Sequence, residues 1–265
     1  MRDVDEQLRR LHWLSECAIH KWPARLTEVK LPMAADDVMH LGVREMLAFF
    51  DEIPPGSEGH ATAVVAVCGE ELGLGLMKHC LEGRGAHVQV QRGPCTKGTQ
   101  KGPRLDRWVR VQGPDIGLPD VLFQVEVKNW SAHAIGGERL ALNASPGTLA
   151  NYKVRNWKKV WDDRTGIREP SLAKLLEPMR PPQQLSGIPV QPLACLWTAL
   201  HPNGAPECFF SVELPQAQRG EFSRVWLFSM SAYLRTLPDG SLAIEMPQTA
   251  KRLYWLNGLM GVGKL

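Results

Sequence analysis

Residues 105–130 read LDRWVRVQGPDIGLPDVLFQVEVKNW, and the fold turns on how this stretch divides. Val121 to Val127, VLFQVEV, is rich in β-branched and aromatic residues and follows Pro114, Gly117 and Pro119, the pattern of a buried strand entered through a turn. Glu126 and Lys128 interrupt its end with charge, and side chains two apart on a strand leave from the same face. A carboxylate and an ammonium at the end of an apolar strand are costly to desolvate unless they are paired or hold a metal ion. Upstream, LDRWVRV is a second strand-like run headed by Asp106, able to pair antiparallel across the turn from Gly113 to Pro119. That pairing predicts the carboxylates of Asp106 and Glu126 at one end of a sheet, sharing one divalent cation. Oxygen ligands suit Mg²⁺ or Mn²⁺, not zinc. Lys128 would stand beside the metal, orienting a water or offsetting charge that builds on a phosphate. This is a phosphodiester hydrolysis site in outline.

An Asp, a spacer and then Glu-x-Lys on a hydrophobic strand resembles the PD-(D/E)XK nuclease superfamily, over about residues 58–200 of this chain. The resemblance implies an α/β protein with a restriction-endonuclease-like core, a mixed central sheet flanked by helices. It also implies a helix bearing another acid before the first strand, and a helix after Glu-x-Lys leading into a fourth strand. The segment Gly59–Leu81 fits the first requirement, with Ala63, Val67, Glu70, Leu74, Met77 and Leu81 on one helical face. Glu70 is the odd member of that stripe and the candidate for an extra metal or water ligand. The adjacent Glu71 falls on a more polar face, where solvation suffices. AHVQVQ, residues 86–91, alternates as the first strand. The chain departs from the family pattern at Leu105, which stands before Asp106 where the motif has proline. Pro114-Asp115 and Pro119-Asp120 compete, but Asp115 sits in the expected turn and Asp120 lies too close to Glu126 along the chain, which leaves Asp106. The Val127 carbonyl is a candidate third metal ligand.

The chain has 265 residues, 44% hydrophobic and 22% charged, enough for one sizeable α/β domain and an extension. A helical N-terminal extension is expected over 1–55 and the nuclease-like domain over 56–265. MRDVDEQLRRLHWL is too charged for a secretory signal, and the sequence holds no long apolar run, so a cytoplasmic protein without a membrane partner is expected. The six cysteines lack CxxC spacing, which argues for reduced thiols and against a zinc site. A formal charge of +3 is too small to identify a polyanionic partner, so the clustering of positive residues carries that question.

Two clusters suit nucleic acid. RGPCTKGTQKGPR, residues 92–104, places Arg92, Lys97, Lys101 and Arg104 among glycines and prolines with no acid, a mobile basic loop suited to phosphate contact. The helical pattern Thr148–Asp163 turns Lys153, Arg155, Lys158 and Lys159 outward with aromatics at the margin. Trp130, Asn129 and His133 follow the Glu-x-Lys strand and are placed to line a substrate groove.

Residues 3–22 and 35–50 read as helices, IPVQPLACLWTAL (188–200) as a fourth strand and CFFSVEL (208–214) as a fifth. Phe222–Leu237 is too densely apolar for periodicity to decide between helix and strand. GLMGVGKL, residues 258–265, matches most of a phosphate-binding loop, but Leu265 replaces the Ser or Thr that holds Mg²⁺, and a helix from Pro247 is the better reading. The expected function is a Mg²⁺-dependent endonuclease acting on DNA, with RNA open, in restriction or phage defence, and possible as a homodimer because two-strand cutting needs two sites. The alternatives are a nuclease fold without catalysis, serving binding or assembly, and the nuclease front end of a larger nucleotide-binding protein.

Overall fold

The computed structural model describes residues 38–51, 66–98, 104–114, 117–128, 161–162, 164–167, 170–199, 201 and 207–260. In chain order the described strands and main helices begin with β1 (Val38–Gly42), α1 (Val43–Asp51), α2 (Glu71–Glu82), β2 (His87–Val90), β3 (Cys95–Thr96) and β4 (Arg104–Leu105). There follow β5 (Arg107–Gly113), β6 (Leu118–Lys128), β7 (Trp161–Asp162), β8 (Gly166–Ile167), α3 (Pro170–Ala173) and β9 (Val190–Leu196). β10 (Phe209–Glu213), β11 (Arg224–Ser229), α4 (Met230–Leu234), β12 (Ser241–Glu245) and α5 (Pro247–Met260) complete the set. No described helix is long and apolar enough to cross a membrane.

The chain folds as mixed α/β around a six-stranded sheet ordered β10-β11-β9-β6-β5-β2. β5 and β6 form the expected antiparallel hairpin, with Arg107 opposite Val125 and Val109 opposite Phe123. The register shifts between Val111 and Gly113, and Gly117 takes φ +74° in the turn that closes the hairpin, a conformation an L side chain resists. β2 adds antiparallel to β5, while β9 adds parallel to the other side of β6. β6 is thus a central strand covered on both faces, which is why its sequence is a near-continuous apolar run.

Its alternation separates two cores. Phe123, Val125 and Val127 face one cluster with Val109, Val111 and the α2 residues Leu76, Met77 and Leu81. Leu122 faces the other, with Trp108, Leu172, Leu175, Leu196 and Leu227. Gln124 and Glu126 share the parity of Leu122 and are both fully buried, so the two polar residues of the strand point toward the second core.

Four local expectations change. The continuous helix over Gly59–Leu81 is interrupted at Gly69, whose φ of +56° ends the preceding turn; α2 starts at Glu71 with Glu70 at its N-cap. The helix over 35–50 is helical only from Val43, because Val38–Gly42 instead pairs with β12, Val38 opposite Glu245 and Gly42 opposite Ser241. That partner lies almost the whole chain away, beyond any local periodicity. Phe222–Leu237 is strand and then helix, β11 followed by α4, switching at Ser229, whose hydroxyl caps α4 by accepting the Ala232 amide at 3.4 Å. The first, fourth and fifth strands and the helix from Pro247 form where their sequence patterns place them. The helix expected over 148–163 does not reach its end, because Trp161–Asp162 is the strand β7, paired antiparallel with β8, Trp161 opposite Ile167; the rest of it, with Lys153, Arg155, Lys158 and Lys159, the 3–22 helix and residues 261–265 of the GLMGVGKL stretch lie outside the described residues.

Candidate active site

Asp106 stands just before β5, and its backbone amide donates to the Val125 carbonyl at 2.9 Å, continuing the hairpin ladder by one rung. This brings Asp106 alongside Glu126 at the end of β6. Asp106 Oδ2 accepts the Val127 amide at 2.6 Å, which fixes the carboxylate against the neighbouring strand. Val127 therefore meets Asp106 through its N–H, and the metal-ligand role expected of its carbonyl stays a proposal.

Glu126 is buried at 1% exposure, and its Oε1 accepts from Lys128 Nζ at 2.6 Å and from Lys174 Nζ at 2.7 Å. Its other oxygen, Oε2, is buried with no hydrogen-bond partner. Both lysines keep part of their stems and heads at the surface, so the carboxylate is the buried pole of a cluster that opens outward. Burial pushes the Asp106 carboxyl upward from its ordinary pKa, and the Glu126 carboxylate pushes it further; the Val127 amide, Lys128 and Lys174 oppose them. The two acids are thus within electrostatic reach of each other.

Glu70 reaches the site indirectly. Its carboxylate pairs with the Arg107 guanidinium, and Arg107 Nη1 donates to the Asp106 carbonyl at 2.7 Å. Arg107 thereby ties the start of α2 to the strand that carries Asp106. Burial raises the Glu70 carboxyl pKa above the ordinary value, and Asp106 adds to the rise against the pull of Arg107. Glu71, expected in solvent, instead caps α5: its carboxylate accepts from the Gln248 amide at 2.9 Å and from the Thr249 amide at 2.7 Å. Asp120 is held by Arg110 through two hydrogen bonds of 2.9 and 2.7 Å at the hairpin, away from Glu126.

Lys174 is the residue that the sequence pattern did not disclose. It follows α3 in a 3₁₀ turn, Lys174–Leu176, and the buried Gln124 side chain sets that turn against β6. Gln124 Nε2 donates to the Leu175 carbonyl at 2.7 Å and the Glu177 carbonyl at 3.0 Å, and its Oε1 accepts the Met179 amide at 3.0 Å. Lys174 Nζ also donates to the Arg104 carbonyl at 3.0 Å. A glutamine in the middle of VLFQVEV was the available signal, since a buried amide must bind something fixed.

The basic loop is anchored on the same segment. Lys97 Nζ lies 2.5 Å from Glu177 Oε2, and the Arg180 amide donates to the Thr96 carbonyl at 3.0 Å. Arg104 is exposed on the short β3–β4 ribbon beside Lys174. Lys101, Asn129, Trp130 and His133 fall outside the described residues.

Among the described residues no group of three or more His, Cys, Asp and Glu side chains forms a metal cage. The donor set nonetheless fits a hard cation that keeps most of its waters. The buried, unpartnered Glu126 Oε2 beside the Asp106 carboxyl, raised by burial first and by the Glu126 charge second, is what a Mg²⁺ ion taking one or two carboxylates would relieve. The fold and the site define a mixed α/β protein with a carboxylate–lysine cluster at one end of its central strands. No family model, curated protein or solved structure matches the chain.

Proposed function

We propose that this chain is a metal-dependent nuclease with a restriction-endonuclease-like core, hydrolysing phosphodiester bonds of DNA. The observation that carries the reading is the convergence of Asp106, Glu126 and Lys128 at one sheet end, with Glu126 Oε2 buried and unpartnered. The order helix, three antiparallel strands, then a strand parallel to the third supports it as well, in α2, β2, β5, β6 and β9. Asp106 and Glu126 would hold Mg²⁺, or Mn²⁺ in its place. The ion, when bound, supplies a Lewis acid for the phosphate and a more acidic water.

The chain's own residues do the rest. Lys128 places an ammonium beside the carboxylate, where it steadies the attacking water or the negative charge gathering on phosphorus. Lys174 brings a second positive charge to the same oxygen. Arg107 and the Val127 amide hold Asp106 in place, and Glu70 is a positioning residue acting through Arg107. Lys97, Lys101, Arg104 and Trp130, with Lys153, Lys158 and Lys159, are proposed contacts to the nucleic-acid backbone and bases, and restriction or phage defence is the proposed setting.

Incubating the purified protein with supercoiled plasmid and Mg²⁺ or Mn²⁺ tests the reading. Nicking that disappears in EDTA and in Glu126→Gln and Lys128→Ala is expected; activity unchanged in both variants would overturn it. A second reading, a nuclease fold that binds without cutting, is favoured by one feature: two lysines of the chain already occupy Glu126 Oε1. Salt-sensitive DNA binding with no cleavage under any divalent ion would select it.

A further inference from the structure

Away from the carboxylate cluster, the last turn of α2 and the start of β10 bring two thiols together. Cys80 Sγ lies 3.7 Å from Cys208 Sγ, and Arg84 Nη2 donates to Cys208 Sγ at 2.9 Å. We propose that Cys80 and Cys208 form an oxidative modification site, at which a hydroperoxide converts the pair into a reversible disulfide tying α2 to β10.

The two cysteines are each 2% exposed, but Arg84 is exposed in the Gly83-Arg84-Gly85 turn, so Cys208 lies one side chain beneath the surface. Tyr233 walls the site, its hydroxyl 2.5 Å from His79 Nδ1. Bridging the sulfurs asks for a displacement of about 1.7 Å, within the reach of side-chain torsions because a disulfide spans ~2.05 Å.

The chemistry divides between the partners. The hydrogen bond from Cys80, then the charge and hydrogen bond of Arg84, draw the Cys208 pKa downward against the effect of burial, whereas Cys80 moves upward. The Arg84 guanidinium stands on Cys208 Sγ and not on Cys80, which makes Cys208 the thiolate and Cys80 the resolving thiol. Cys208 thiolate attacks the peroxide O–O bond, forming a sulfenic acid and releasing the alcohol or water of the leaving oxygen. The Cys80 sulfur then displaces the sulfenic oxygen as water, and two thiols and one peroxide become one disulfide and two hydroxylic products. A dithiol reverses the step by exchange.

The other described thiols lack this arrangement. Burial lifts Cys68 to about 11 and Cys95 to about 12, and burial likewise raises Cys195, whose Sγ donates to Met77 Sδ at 3.6 Å. A metal is a poor occupant of the pair, since a guanidinium already stands on Cys208 and no third His, Cys, Asp or Glu joins it among the described residues.

The test uses the full chain, reduced and then treated with one equivalent of hydrogen peroxide. Expected are the loss of two alkylatable thiols, a non-reduced digest containing a peptide that joins Cys80 to Cys208, and recovery with dithiothreitol. Cys80→Ser should trap a dimedone-reactive sulfenic acid at Cys208, and Arg84→Met should slow the linkage several-fold. Peroxide that consumes other cysteines first and yields no Cys80–Cys208 peptide overturns the proposal. So does a folded Cys80→Ser protein with no adduct at Cys208; should that variant fail to fold, an Arg84→Met rate equal to wild type does the same.

Discussion

Lys174 holds its ammonium 2.7 Å from Glu126 Oε1, and the contact joins a 3₁₀ turn after α3 to the last residues of the central strand. A carboxylate this deeply buried needs positive charge close by, and removing one partner of a buried pair costs far more than an exposed pair is worth. Lys128 remains on the same oxygen, so the loss is shared. Lys174→Met is expected to lower the unfolding free energy by about 2 kcal/mol, measured by urea denaturation, with Lys174→Arg recovering most of it. A Lys174→Met protein as stable as wild type would mean that Lys128 alone compensates Glu126.

Gln124 fixes the turn that carries Lys174, through its three hydrogen bonds to the backbone of Leu175, Glu177 and Met179. Gln124→Leu keeps the volume and leaves two carbonyls and one amide without partners in a buried place. The expected cost is about 3 kcal/mol, since each stranded buried group costs about 1–3 kcal/mol and the turn can relax toward water. Hydrogen exchange at the Met179 amide should quicken more than at the β5–β6 ladder; equal acceleration at both would show a global rather than a local effect.

The hairpin β5–β6 and the placing of Asp106 against the end of β6 are readable because strand period, turn glycine and charge position all lie within one short stretch. Glu-x-Lys places two side chains on one face by geometry alone, and the observed Lys128–Glu126 contact follows from it. What was not readable depends on partners distant in sequence. Val38–Gly42 is a strand because Ser241–Glu245 accepts it, and Glu71 caps a helix that begins at Pro247. Lys174 offers no local mark, being one lysine in LAKLLEP. Gln124 is the one local mark of that turn: a polar residue inside a two-sided buried strand announces a fixed partner without naming it.

Glu71 joins the start of α2 to the start of α5 by accepting from the Gln248 and Thr249 amides and from Thr249 Oγ1, the last at 2.9 Å. A carboxylate on these first-turn amides also meets the positive end of the α5 dipole. Glu71→Ala is expected to destabilise by about 1–2 kcal/mol, the range of a lost helix cap. Glu71→Gln should fall between the two, keeping an acceptor without the charge. Thermal unfolding of the three proteins side by side checks the order; Gln no better than Ala would show that charge, not hydrogen bonding, carries the cap.

Asp106 gives the sharpest conflict between stability and the proposed chemistry. Burial first, and the Glu126 charge second, raise its native pKa above the ordinary value. A carboxyl raised on folding holds its proton more tightly in the native state, so stability falls as pH climbs from the unfolded pKa through the native one, and the cost is fully present above the native one. Asp106→Asn removes that charge while its amide oxygen can still accept the Val127 N–H. In EDTA at neutral pH the variant should be more stable than wild type by about 1 kcal/mol, the scale seen when a functional site is relieved of strain. The gap should close as pH drops into the carboxylate range. Added Mg²⁺ should narrow it from the other side, because an ion at tenfold its dissociation constant contributes about 1.4 kcal/mol to the protein that binds it, and the variant lacks one of the two proposed ligands. A variant less stable than wild type in EDTA would show that Asp106 acts as a structural acceptor rather than as an acid kept under repulsion for a cation.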